Sequence, residues 1–363
     1  MTTTAQSLYY LHTMPGLEQV AWSEITQRFP RAVFGSIKQV PQKNGLLLFR
    51  SADDPQALLD LRCAEDLFIV AARGFKVAPN EQGLRQIYAA VRNAKGARAA
   101  LATWEDVYGN LEQPATFRVV VREQGAAGQM RRDIGRSASD ALLDGWPGRW
   151  SRVEEEADVE LWVNLLGEEL LCGLRLSRAE MRHRDYKVQH LPASLRPSVA
   201  AAMVQLTQPA PADVFLDPMA GAGTILLERA AFGAFGRLIG GDNSPDALDA
   251  LDANMRSVPS GVELHEWDAR ALPLEDSSVD KAALNLPFGR QISPGENLRA
   301  LYAATFAELA RVVRPGGIIV ALAADPSAVD GALRASPPLH MTKRLEVNVL
   351  GYDAVVSVIK RGA

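Results

Sequence analysis

One stretch restricts the fold more than any other: Asp217-Pro218-Met219-Ala220-Gly221-Ala222-Gly223-Thr224. A short apolar run, Val214–Leu216, precedes it, and a run with helical spacing, Thr224–Ala231, follows. A strand, a glycine turn and a helix in that order begin a crossover connection. The alternation then continues to the end of the chain. Strands are expected at Val214–Leu216, Arg237–Gly240, Val262–Glu266, Lys281–Leu284, Ile318–Ala323 and Ala354–Lys360. Helices are expected at Thr224–Ala231, Pro245–Met255 and Leu298–Val313, with an earlier one at Leu195–Leu206 that carries Pro197 in its first turn. Parallel pairing through crossover helices makes this an α/β, doubly wound, Rossmann-like sheet.

The turn also has chemistry. Gly221 and Gly223 let the backbone pass close to a ligand, at φ values other residues resist. Asp242 ends the next strand, in Gly240-Gly241-Asp242-Asn243, where an acidic group can accept hydrogen bonds from ribose hydroxyls. The spacing is not Gly-x-Gly-x-x-Gly, and no lysine follows the glycines. A dinucleotide and a phosphate-cradling loop are therefore disfavoured. A nucleoside without a diphosphate, such as S-adenosylmethionine, fits better than a tight turn that holds nothing. Asp268, in Glu266-Trp267-Asp268-Ala269, follows the third strand and is placed to accept from an adenine amino group. Taken alone it would read equally well as a solvated loop aspartate.

Asn285-Leu286-Pro287-Phe288-Gly289 ends the fourth strand. An aromatic amine is a poor nucleophile because its lone pair is delocalised into the ring. Two acceptors, the Asn285 side-chain oxygen and the Leu286 carbonyl, can orient such a nitrogen. Pro287 fixes the backbone, and Phe288 offers a ring for stacking on a base. Catalysis would be mainly positioning. The plain alternative is a strand ending in a proline turn with a core phenylalanine. The chemistry suits any exocyclic amine, so guanine N2 and adenine N6 both remain open.

The first half mixes strands and helices without a glycine fingerprint. Strands at Ser7–His12, Val33–Val40, Gly45–Arg50 and Leu67–Arg73 surround helices at Leu17–Phe29 and Pro55–Arg62, the latter with Asp53 and Asp54 as cap candidates. That order is the split βαβ plan. A second segment carries a helix at Gln82–Lys95, a strand at Ala115–Arg122, a helix at Asp133–Leu143 and a hairpin formed by Ala157–Leu165 and Leu170–Leu176. Two basic stretches are candidates for phosphate neutralisation: Arg118, Arg122, Arg131, Arg132 and Arg136, and Arg175, Arg178, Arg182, Arg184 and Lys187. A solvated face is the competing reading of both. His183 and His190 have no partners at metal or triad spacing.

At 47% apolar and 23% charged residues over 363 positions, the chain can build two or three domains. The net charge of −4 argues weakly against a nucleic-acid partner, but local clusters matter more than the sum. Cys63 and Cys172 do not make a zinc site, so no metal is expected. The region Met1–His12 does not read as a secretory signal, and no apolar run is long enough to span a bilayer. A cytoplasmic monomer is the expectation.

With these motifs, the chain resembles the THUMP-domain tRNA guanine-N2 methyltransferases over nearly its whole length. The matching stretches are His190-Leu-Pro-Ala-Ser-Leu-Arg-Pro197, Asp217–Thr224, Gly241–Pro245, Trp267-Asp268 and Asn285–Gly289. The resemblance implies a ferredoxin-like domain at 1–73, a THUMP domain at 74–176, a linker at 177–194 and a methyltransferase domain at 195–363. It implies S-adenosylmethionine held by Pro192, Ser194 and Leu195, by Asp217, Pro218, Ala220, Gly221, Gly223 and Thr224, by Asp242 and Asn243, by Asp268 and Ala269, and by Asn285. It implies tRNA as partner and N2-methylguanosine near position 6 as product, with the target base flipped into the pocket. Leu286 departs from the commoner Asp/Asn-Pro-Pro-Phe/Tyr wording, and related guanine-N2 enzymes carry a similar leucine. On this reading Asn285, Leu286, Pro287 and Phe288 are catalytic. Arg131, Arg132, Arg136, Arg178, Arg182, Arg184 and Lys187 bind RNA.

Overall fold

The structure, a computed structural model, describes residues 6–39, 44–123, 128–191, 194–258, 260–288, 297–349 and 351–362. Pro192 and Gly289, expected at the site, lie outside the described residues. The chain divides into two compact units, Met1–Thr13 with Ile25–Met181 and Met14–Glu24 with Arg182–Ala363.

The first unit is built on one sheet. Its strands are β1 (Ser7–Thr13), β2 (Val33–Gln39), β3 (Gly45–Ser51), β4 (Asp66–Gly74), β5 (Ala115–Glu123), β6 (Trp150–Arg152), β7 (Val159–Leu166) and β8 (Glu169–Arg175). Their order is β2-β3-β1-β4-β8-β7-β5-β6. The first four therefore follow the split βαβ order. They join the others through antiparallel pairing of β4 with β8, so both expected N-terminal modules contribute to a continuous sheet. Helices α1 (Glu18–Arg28), α2 (Pro55–Leu58), α3 (Glu81–Arg92), α4 (Ala97–Tyr108) and α5 (Gly128–Gly145) connect the strands. Of the two cap candidates, Asp54 caps α2, accepting from the Gln56 amide at 2.9 Å, while Asp53 bonds the Ser51 hydroxyl. That helix ends at Leu58, well short of the expected Arg62.

The second unit carries the site. Its elements are α6 (Pro197–Leu206), β9 (Val214–Asp217), α7 (Thr224–Phe232), β10 (Arg237–Asp242), α8 (Pro245–Met255), β11 (Val262–Glu266), β12 (Val279–Asn285), α9 (Leu298–Val312), β13 (Val313–Ala323), α10 (Pro326–Ala335), β14 (Leu339–Val349) and β15 (Tyr352–Arg361). The strand order is β11-β10-β9-β12-β13-β15-β14. Neighbours from β11 to β13 pair parallel, whereas β15 runs antiparallel to both β13 and β14. The expected sheet lacks β14 and pairs all its strands parallel, whereas β15, expected at Ala354–Lys360, runs antiparallel. A hairpin turning at Gly351 (φ +86°) forces that reversal. The turn at Pro15 and Gly16 packs on β14, where the Asn348 amide donates to the Pro15 carbonyl at 3.3 Å. A side chain at Gly16 would meet the Glu346 carbonyl oxygen. The segment Met14–Glu24 thus belongs with the C-terminal sheet, and no single cut separates the units.

The core on one face of this sheet gathers Leu216, Ile239, Leu284, Tyr302, Phe306 and Ile319, all essentially buried. The strand order reverses between β9 and β12, so their carboxyl ends flank a topological switch point where open α/β sheets bind ligands. The glycine turn leaves β9 there, and Asn285 ends β12 there.

Candidate active site

Asp217 closes β9 and is buried at 1% exposure. Burial pushes its carboxyl up to about 8; the nearby Asp242 charge adds to the rise, and the Met219 amide, donating at 3.2 Å, opposes it. Gly221 and Gly223 have φ of +52° and +80°. Their surroundings differ. Nothing described lies within 4 Å of a side chain built at Gly221, whereas one at Gly223 would come 2.7 Å from Leu251 Cδ1. The second glycine therefore serves packing between α7 and α8, and the first presents bare backbone to open space. Asp242 ties the turn to β10, because Oδ2 accepts from the Gly221 amide at 2.9 Å and Oδ1 from Ser244 at 3.1 Å. Ala220, buried, donates its amide to the Gly241 carbonyl at 2.9 Å. The Trp267 indole donates to the Pro218 carbonyl at 3.0 Å and stacks on His265.

Asp268 and Ala269 follow β11 as expected, but the Asp268 carboxylate is engaged. Arg270 grips it through Nε at 2.9 Å and Nη2 at 2.6 Å, which holds the carboxyl below its usual range. The Asp268 side chain is 39% exposed, and such pairs are worth only about 0.2–1 kcal/mol. A nucleoside amino group can displace that contact at small cost. Asn243 is exposed beside Asp242.

The Asn285 loop is braced from two sides. The buried Leu286 donates its amide to the Leu322 carbonyl at 2.9 Å, which extends the sheet onto β13. The Pro287 carbonyl accepts from the Tyr302 hydroxyl at 2.8 Å. Burial pushes that phenol up to about 12, so it stays a donor at ordinary pH. Phe288 is half-buried. Asn285 Oδ1 is buried and, among the described residues, receives no hydrogen bond. A buried acceptor left unmet costs about 1–3 kcal/mol. It is an acceptor held ready for a donor. The spacing of Tyr302 with Phe306 and Leu309 reads only as core, so its role was not visible in the sequence.

The segment before α6 is pinned over the glycine turn by Asn254 of α8. Its Oδ1 accepts from the Val188 and Gln189 amides at 2.9 and 2.8 Å, and its Nδ2 donates to the Gln189 and Ala222 carbonyls at 3.0 and 2.8 Å. Nothing in the sequence singled this residue out. Ser194 accepts from the Leu191 amide at 3.2 Å, and Leu195 is buried.

This arrangement corrects part of the RNA-binding set. Arg184 pairs with the buried Glu228 at 3.4 Å, and Tyr186 donates to the same carboxylate. Lys187 is 7% exposed and donates to the Thr224 hydroxyl at 2.8 Å. Burial pushes its ammonium down to about 8. These two cations face inward, so they are not a solvated basic surface. Arg182 is half-buried, and Arg178 is exposed with its guanidinium 4.1 Å from the Tyr108 ring centre. In the other stretch Arg118 pairs with Glu160 and Arg122 lies over Trp162, which leaves Arg131, Arg132 and Arg136 exposed on α5. Among the described residues no cluster of His, Cys, Asp and Glu could hold a metal ion, and no helix is long and apolar enough to cross a membrane.

Residues 184–353 match the UPF0020 family model, described as RMKL-like, methyltransferase domain. The chain is 29% identical to the tRNA (guanine(6)-N(2))-methyltransferase THUMP3 of Bos taurus over 268 residues, covering 68% of this chain and 51% of the relative. It thus spans about half the length of the first curated relatives it matches. A tRNA (guanine(6)-N2)-methyltransferase of Thermus thermophilus is 29% identical over 329 residues, covering 90% of this chain and 91% of the relative. The crystal structure of TrmN from Thermus thermophilus superposes with a TM-score of 0.75 at 26% identity, covering 98% of this chain and 99% of that one.

Proposed function

We propose that this chain, whose residues 184–353 belong to the RMKL-like methyltransferase domain family, methylates the exocyclic N2 of a guanosine in tRNA, near position 6 of the acceptor stem, with S-adenosylmethionine as donor. One observation carries the reading: a buried acceptor, Asn285 Oδ1, waits at the switch point on a loop braced by Tyr302 and Leu322. The relatives named for guanine-N2 chemistry on tRNA support the choice of base and RNA.

The residues fit the donor. Bare backbone at Gly221 allows close approach, and Asp242 keeps acceptor capacity for ribose hydroxyls beyond its two amide bonds. Asp268 and Ala269 lie at the end of β11, where an adenine would sit. When bound, S-adenosylmethionine supplies an electrophilic methyl group on a sulfonium. The chain's own residues do the positioning. Asn285 Oδ1 and the Leu286 carbonyl accept from the two N2 hydrogens, turning the nitrogen lone pair toward the methyl carbon. Pro287 keeps both acceptors aimed one way, and Phe288 stacks on the base. The bound donor would supply the methyl carbon and take up the carbon–sulfur electron pair as the nitrogen–carbon bond forms. Asn285 is neutral and takes no proton, so the N2 proton leaves to water.

Nucleoside mass spectrometry on RNA from a strain lacking the gene tests the reading. N2-methylguanosine should vanish from the tRNA acceptor stem and return on complementation. Loss of a modification from ribosomal RNA alone would overturn it.

A further inference from the structure

Lys187 is a buried charge with no role in the reaction described above. It lies beside the first turn of α7, immediately after the glycine turn. Among the described residues its ammonium makes one hydrogen bond, to a hydroxyl, and an ammonium has more donors than Thr224 Oγ1 can accept. Among the described residues no carboxylate pairs with it or supports its charge. Glu228, one helical turn along α7 from Thr224, is engaged by Arg184 and Tyr186. The helix end beside it carries positive partial charge, which makes a cation there less favourable still. A buried cation against a helix N-terminus needs an anion.

We propose that Lys187 binds the carboxylate of the methyl donor's amino-acid end, with the Thr224 hydroxyl orienting its ammonium. The inference rests on S-adenosylmethionine being the ligand of this site. The donor carries one carboxylate, and the glycine turn is tied to Asp242, whose charge would repel it. Lys187 supplies the opposite charge beside the end of that turn, at Thr224. Because the side chain is 7% exposed, a small acid reaches it and a phosphodiester inside an RNA chain does not. Lys187 thereby becomes a determinant of which adenosine thioethers the site accepts.

Calorimetric binding of two ligands tests this. S-Adenosylhomocysteine has the carboxylate, and 5′-deoxy-5′-methylthioadenosine lacks the whole amino-acid end. Lys187→Met should weaken S-adenosylhomocysteine about 10- to 100-fold and leave methylthioadenosine within roughly threefold. Lys187→Arg should recover part of the loss. If Lys187→Met does not fold, Thr224→Val should show the same selective loss at smaller size. Equal weakening of both ligands, or no weakening of either, overturns the proposal. So does a variant that loses affinity for unmodified tRNA without cofactor while its affinity for S-adenosylhomocysteine is unchanged. Should the unsubstituted protein bind neither ligand, the donor assignment falls and this inference with it. Tight binding of S-adenosylhomocysteine that ignores Lys187 sinks the inference alone.

Discussion

On the proposed function, Asn285 Oδ1 is the acceptor for the base and Tyr302 braces its loop. Asn285→Ala removes the acceptor and should cut methyl transfer more than about 100-fold, since positioning is the main source of rate here. S-Adenosylhomocysteine affinity, measured by calorimetry, should stay within a few-fold. Tyr302→Phe leaves the Pro287 carbonyl without its donor and should cost about 1–3 kcal/mol in stability, with a fall in kcat larger than any rise in KM. Asp217 has a separate signature. Its folded-state carboxyl titrates near 8 against 3.8 when free, so between those values the unfolded chain releases a proton that the folded one keeps. The aspartate therefore costs stability progressively as pH rises from 3.8 toward 8. Asp217→Asn should raise the melting temperature of the ligand-free protein, by an amount that grows from pH 5 to pH 8. A constant difference across that range would contradict the assignment. Asn285 and Asp217 were legible as candidates because their residue types at strand ends name a chemistry. Tyr302, Asn254 and the inward face of Lys187 were not. Their roles depend on which elements pack together, and a tyrosine among core residues or a lysine in a basic run carries no local mark of that.

At the scale of elements, the β9–α7 turn and helix α5 make opposite demands. Gly223→Ala meets Leu251 and a positive φ, and should destabilise the protein by about 1–3 kcal/mol in denaturant unfolding. Gly221→Ala has only the backbone strain to bear, about 1 kcal/mol, and its larger effect should appear in cofactor affinity. Helix α5 presents Arg131, Arg132 and Arg136 to solvent. If these neutralise phosphates, replacing all three with Gln should flatten the salt dependence of tRNA binding. An unchanged slope would make them solvated surface. Most of the parallel strands were legible, because buried strands read as short apolar runs between helices. Helix α4 went unread although Ala97, Ala100, Leu101 and Trp104 bury one face, since Gly96 supplies no side-chain cap. Strand β14 went unread because Lys343, Arg344 and Glu346 give an edge strand a polar look.

For the whole molecule, the chain divides into two compact units with a sheet each. One holds a continuous eight-stranded sheet with exposed basic helix surface, and the other a seven-stranded sheet with a switch-point site. The domain plan at 1–73, 74–176 and 195–363 remains a proposal, and the membership of Met14–Glu24 in the second unit complicates any truncation. A fragment starting at residue 182 lacks the turn that packs on β14 and should be less stable than the full chain, which thermal unfolding would show. The most direct test of the central claim is transfer from labelled S-adenosylmethionine to unmodified tRNA, with the product nucleoside identified and mapped. The proposed function predicts N2-methylguanosine in the acceptor stem, absent with Asn285→Ala. N6-methyladenosine as product, or no transfer by a protein that binds the donor, would contradict it.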